Sequence, residues 1–117
     1  MTTTLPPLDA LLHQPARTQL VAYLSGRGEA TFSELKRVLG VTDGNLGAHL
    51  AKLVEAGYLA TSEATGGARA QTVYTLTATG RAALSEYAAR LAALMALSTH
   101  GEPRSFIALS SPKDVAP

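Results

Sequence analysis

One short stretch, TFSELKRVLGVTDGNLGAHLAKLVEAGY at residues 31–58, holds two helix starts and two glycine stops. Thr31 with Glu34 three residues on reads as a capping box: the hydroxyl accepts from the first turn's orphan N–H groups and the carboxylate reaches back. Leu35, Val38 and Leu39 recur at helical spacing and are expected to face inward, with Lys36 and Arg37 outward. Gly40 suits the left-handed position that ends a helix. Val41 alone then separates it from Thr42, the cap of a second helix that runs to about Ala56 and stops at Gly57. Two short helices joined this tightly form a helix-turn-helix.

The flanking segments extend the pattern. Residues 1–7 are polar and Pro-rich and read as a flexible arm. LDALLHQ gives one apolar turn, and a helix follows from Pro15, which suits the first helical position. Leu20, Val21 and Leu24 form its buried stripe, and GRGE, Gly26 to Glu29, reads as a break. After Gly57, YLATS reads as a strand, EATGGARAQ as a turn, and TVYTLT as the returning strand with Tyr74 and Leu76 on one face. Thr77 caps a last helix from about Ala78 to Ser98, with Leu84, Tyr87, Leu91 and Leu94 at spacings suited to a helix-pairing seam and Leu97 beyond them. A Pro-containing tail, 99–117, closes the chain, with a small apolar island at Phe106 to Leu109. The expected fold is mostly α with a small β-hairpin. It comprises a winged helix-turn-helix over 8–76, with the hairpin as its wing, and a long C-terminal dimerisation helix over 77–98.

The recognition helix, 42–56, sorts its residues by angle. Advancing 100° per residue from Leu50, the residues Leu46, Leu53, Val54 and Gly57 fall within about 60° and form the core face. Gly44, Asn45, Ala48, Lys52 and Glu55 fall on the far side, and His49 lies at the flank. A helix-turn-helix sets the N-terminal half of its second helix against base edges in the major groove. Asn pairs bidentately with adenine, which suits Asn45. His49 suits a base acceptor or a phosphate, and Lys52 a phosphate. Thr42 and the first-turn N–H groups offer an anion site, while Asp43 opposes phosphate and instead favours the positive helix end. By themselves, Asn45 on an exposed face is a solvated residue, and His49 equally suits a bond to a backbone carbonyl. Gly44 leaves room for backbone to approach DNA. Gly47, at the edge of the core face, either admits a neighbouring helix or is a tolerated loss.

The motifs resemble those of the winged-helix transcriptional regulators related to the MarR and ArsR groups, over about residues 8–98. Leu8-Asp9 with His13, Pro15 and Arg17, then TFSELKRVLGVTDGNLGAHLAKLVEAGYLA, then TVYTLTATGRAAL carry the likeness. The resemblance implies a homodimeric, sequence-specific DNA-binding protein with the wing, 61–72, on the adjacent backbone or minor groove. Its candidate DNA contacts are Ser33, Lys36, Thr42, Gly44, Asn45, Ala48, His49, Lys52, Arg69 and Thr72; its candidate dimer contacts are Leu84, Tyr87, Leu91, Leu94 and Leu97. The chain departs from the family pattern in two places. Gly67 is followed by Ala68, Arg69 and Ala70 where the family's wing often carries two basic residues and a proline. Gly47 and Ala48 stand where it often has serine and then a polar or basic residue.

Charge gives this reading no help. Ten Lys/Arg against nine Asp/Glu leave a formal net charge of +1. Across residues 33–72, Lys36, Arg37, Lys52 and Arg69 are balanced by Glu34, Asp43, Glu55 and Glu63. The alternative is therefore a winged-helix adaptor that binds protein, with weak or no DNA binding. An enzyme is not expected, since His13, His49 and His100 lie in separate elements and no glycine-rich phosphate loop follows a strand. The absence of cysteine excludes thiolate metal sites and disulfides, and neither metal nor cofactor is expected. No stretch reaches the roughly 18 apolar residues of a membrane span, and MTTTLPPLD does not read as a signal peptide. These features point to a cytoplasmic, nucleoid-associated protein. Its expected partners are a pseudo-palindromic double-stranded DNA operator, a second copy of the chain and, optionally, a small-molecule effector, for which no polar cluster marks a pocket.

Overall fold

Asp9 shapes the turn that opens the described chain. Its Oδ1 accepts from the backbone N–H of Leu11 at 2.9 Å and of Leu12 at 3.2 Å. The computed structural model describes residues 7–64 and 70–101. The elements run α1 Pro15–Arg27, β1 Glu29–Thr31, α2 Phe32–Leu39, α3 Asp43–Glu55, β2 Leu59–Ala64, β3 Gln71–Leu76 and α4 Ala78–Gly101. The strands form one antiparallel sheet in the order β1-β3-β2, with Thr31 opposite Val73 and Leu59 opposite Leu76. This is a winged helix. A first compact unit ends at Tyr87 and a second begins at Ala88.

The helix-turn-helix forms for the local reasons its sequence suggests. Thr31 Oγ1 accepts from Glu34 N at 3.1 Å and Thr42 Oγ1 from Asn45 N at 3.1 Å. Gly40 takes the left-handed conformation at φ +67° and returns its N–H to Lys36 O. A residue with a Cβ would be strained there. The core beneath is built of leucine: Leu12, Leu20, Leu24, Leu35, Leu46 and Leu53 have no exposed surface and Leu50 has 2%. Cutting any one of them to Ala costs about 2–5 kcal/mol in a core of this kind.

Several local expectations are corrected. The helix from Pro15 continues through Gly26 to Arg27, and the chain turns one residue later at Gly28, whose φ of +97° suits glycine. GRGE was expected to be only a break, yet Glu29 begins β1, a three-residue strand too short to show a period. The capping box is half made, because Glu34 turns its carboxylate to the Tyr23 hydroxyl and to Arg27 Nε at 2.8 Å. Val38 is 45% and Val54 37% exposed; α2 meets the core with a single turn, at Leu35. On β3, Val73 is buried and Tyr74 half-buried. Leu76 is buried for a different reason, lying where the chain turns into α4 beside Gly80.

The junction before α4 is tight. Thr77 N donates to Tyr58 O at 3.0 Å, and the Thr77 hydroxyl donates to Gly57 O at 2.6 Å while accepting from Gly80 N at 3.0 Å. A Cβ on Gly80 would lie 2.3 Å from Tyr58 O and 2.7 Å from Leu76 Cδ1. Only glycine fits there. Tyr87, one of the residues expected in the dimer seam, is 6% exposed and belongs to this first unit. Its hydroxyl lies 2.8 Å from His13 Nδ1, and the two rings tilt together at 5.9 Å. In the second unit Met95 is 62% and Leu97 54% exposed, with Leu91 and Leu94 half-buried. The apolar island at Phe106 to Leu109 and the residue 1–6 part of the arm lie outside the described residues. No helix among the described residues is long and apolar enough to cross a membrane.

Candidate nucleic-acid interface

The outward face of α3 is small and polar at its N-terminal half. Thr42, Asp43, Gly44, Asn45 and Ala48 are all exposed, and His49 is half-buried at the flank. Lys52, one turn further, is exposed. The Thr42 hydroxyl accepts at the cap and keeps its own proton to donate. Neither glycine of this helix is explained by packing: a Cβ at Gly44 or Gly47 would meet nothing within 4 Å. The idea that Gly47 admits a neighbouring helix is thereby set aside, and its tolerated-loss reading stands.

Ser33 connects this helix pair to the wing. It lines an open groove over the turn with Phe32, Lys36, Arg37, Gly40, Val41 and Asp43, and a second with Phe32, Ala70, Gln71, Thr72 and Tyr74. Ser33 and Lys36 on α2 and Thr72 on β3 thus share a continuous margin. Tyr74 lines the second groove, and burial raises its phenol pKa. Arg69 lies outside the described residues.

Charge on this surface is arranged in pairs. Lys36 Nζ lies 2.9 Å from Asp43 Oδ1 across the turn, with both side chains exposed. Asp43, which the sequence set against a phosphate contact, is therefore neutralised by a residue expected to make one. Two arginines, Arg17 of the family motif and the exposed Arg27, are engaged by partners within the chain. Arg27 binds Glu34, whose pKa is held down chiefly by the Tyr23 hydroxyl and then by Arg27. Arg17 Nε donates to Leu11 O at 2.7 Å and Arg17 Nη1 lies 3.1 Å from His49 Nδ1. The His49 pKa is held below 6.5, first by burial and then by Arg17 and Lys52. Exposed Arg37 and Lys52 remain as cations near the face.

Sequence reading missed the contacts that hold this face in place. Tyr58 Oη donates to Asp9 Oδ2 at 2.6 Å, tying the residue after α3 to the turn before α1. The pairing of LD with AGY in the motif carries this contact, but 49 positions separate the two residues. Among the described residues no group of three or more His, Cys, Asp or Glu is placed to hold a metal ion.

Comparison with known proteins agrees with this geometry. A family model described as a winged helix DNA-binding domain matches residues 16–95. The chain belongs to this family. An uncharacterized protein of Methanocaldococcus jannaschii is 35% identical over 77 residues, which cover 66% of this chain and 84% of that protein. Among solved structures, this winged helix matches a transcriptional regulator homologue from Pyrococcus horikoshii OT3 at TM-score 0.70 and 29% identity, over 74% of this chain and 86% of that one. The YusO protein of Bacillus subtilis matches at TM-score 0.73 and 22% identity, over 88% and 74%. A MarR mutant from E. coli, solved with operator DNA, matches at TM-score 0.60 and 23% identity, over 85% and 72%. The last two show a shared fold. The expected likeness to MarR-related winged helices holds.

Proposed function

We propose that this winged helix is a sequence-specific DNA-binding transcriptional regulator that acts as a homodimer. The observation that carries the reading is the exposed face of Gly44, Asn45 and Ala48 at the N-terminal half of α3, directly beyond a capped and unblocked helix N-terminus. That half is the part a helix-turn-helix presents to base edges, and Asn45 is the side chain there able to pair with adenine. Ser33, Lys36 and Thr72 form the margin toward the wing and suit the DNA backbone. The exposed Met95 and Leu97 favour pairing of α4 with a second copy, with Leu91 and Leu94 in the same seam and Leu84 at its start, within the first unit. Tyr87 contributes by bracing the helix against His13. Two paired copies would set half-sites about one helical turn apart.

The charge pairs favour the second reading, a protein-binding adaptor, since Lys36, Arg17 and Arg27 all have partners within the chain. Selection of genomic fragments with the purified protein separates the two. The regulator enriches one palindromic motif, and Asn45→Ala loses the preference while keeping the fold. Absence of enrichment, together with a stable protein partner in a pull-down, supports the adaptor.

A further inference from the structure

We propose that Arg17 is a positioning residue that fixes His49 in the Nε2–H tautomer, making His49 a constant hydrogen-bond donor at the flank of the recognition helix. A guanidinium has five N–H donors, no acceptor, and keeps its proton in proteins. Its contact with His49 Nδ1, at 3.1 Å, is therefore a hydrogen bond only if Nδ1 accepts. A neutral imidazole that accepts at Nδ1 carries its proton on Nε2.

Arg17 is itself held. Its Nε donates to Leu11 O at 2.7 Å, and its backbone N–H donates to Gln14 Oε1 at 2.9 Å in the N-cap of α1. Leu11 is fixed in turn by Asp9, whose other carboxylate oxygen receives the Tyr58 hydroxyl. The guanidinium is thus aimed at His49 from the start of α1 by the turn that precedes that helix. The charged groups acting on the ring are Arg17 on α1 and Lys52 on its own helix, both cationic, and with burial they favour the neutral imidazole. Protonation would place a second N–H on Nδ1, against the guanidinium, and break the contact.

Against DNA, a fixed Nε2–H can donate to an acceptor such as guanine O6 or N7, thymine O4 or a phosphate oxygen. It cannot accept from the amino groups of cytosine or adenine. This half of the inference rests on the DNA-binding reading; the tautomer itself does not.

The test has two parts. Side-chain 15N spectra of the free protein at neutral pH should show His49 Nδ1 unprotonated and Nε2 protonated, and Arg17→Met should turn this into a tautomer mixture. A protonated Nδ1 in the wild type, or a tautomer unmoved by the substitution, overturns the proposal. Binding to the selected operator then enters a double-mutant cycle. Arg17→Met should weaken binding about 2- to 10-fold, the scale of one oriented hydrogen bond, but cost no more than twofold in a His49→Ala background. An equal loss in both backgrounds shows that Arg17 acts by its own charge, which overturns the positioning role. If no DNA is bound while the tautomer is fixed as stated, the DNA reading fails and takes the donor role with it, while the assignment of the proton stands. Thermal unfolding of each variant checks that the fold is retained.

Discussion

Lys36 and Asp43 face each other across the helix-turn-helix at 2.9 Å. The pair joins the end of one helix to the start of the next, and it occupies a cation that the fold would otherwise offer to phosphate. An exposed ion pair contributes about 0–1 kcal/mol to stability, so its larger effect is on charge. Asp43→Asn should leave the melting temperature nearly unchanged and tighten operator binding. With Lys36 released to a phosphate, the slope of log K against log[salt] should steepen by about 1 per subunit. Fluorescence titrations at several salt concentrations measure it; unchanged affinity and slope would show that Lys36 does not reach the backbone.

The two glycines of α3 should respond differently to the same substitution. Neither has a neighbour within reach of an added Cβ, so Gly44→Ala and Gly47→Ala should each stabilise the fold by about 0.5–1 kcal/mol. Gly44 lies on the exposed face proposed to meet DNA, so its substitution should weaken operator binding, whereas Gly47→Ala should bind like the wild type. Denaturant unfolding and titration of both variants check this, and a Gly44→Ala variant with wild-type affinity would remove the case for close backbone approach.

Gly80 should tolerate nothing larger. A methyl group would overlap the Tyr58 carbonyl and the end of Leu76, and overpacking of this kind costs about 1–3 kcal/mol or more. Gly80→Ala should lower the unfolding midpoint clearly, read by circular dichroism. A variant as stable as the wild type would mean that the junction has room for a methyl group.

The Tyr58 phenol should titrate late. Its bond to the Asp9 carboxylate, and then burial, push its pKa from 10.0 up to about 12. A raised folded pKa means that the stability from this bond is fully present below about pH 10 and is lost as pH rises through 12. Ultraviolet titration should show a late ionisation step near pH 12, and Tyr58→Phe should remove that step and cost about 1 kcal/mol. A titration curve that Tyr58→Phe leaves without the loss of a late step would contradict the contact.

What the sequence revealed and what it hid divide by distance along the chain. Thr31, Gly40 and Thr42 act on groups within four residues, so their residue types announced both helices and the turn. The leucine spacing of α3 located Leu46, Leu50 and Leu53 correctly, but Val54 beside them is more than a third exposed, because a wheel gives direction and not depth. Strand β1 was hidden because three residues carry no period and its order comes from β3, more than forty positions away. The same holds at the candidate site. Asn45 and Ala48 could be placed on the outward face from angle alone. Arg17 meeting His49, and Asp9 meeting Tyr58, depend on packing of α1 against the rest. Gly80 stands in the motif TVYTLTATGRAAL, and only the approach of Tyr58 shows why a glycine is there.

Salt dependence of binding to the selected operator tests the central claim most directly. If two copies together contact roughly five phosphates, log K should fall with log[salt] at a slope of about −4 to −5, a shallow dependence that matches the paired charges around α3. A slope near zero would contradict DNA binding through this face.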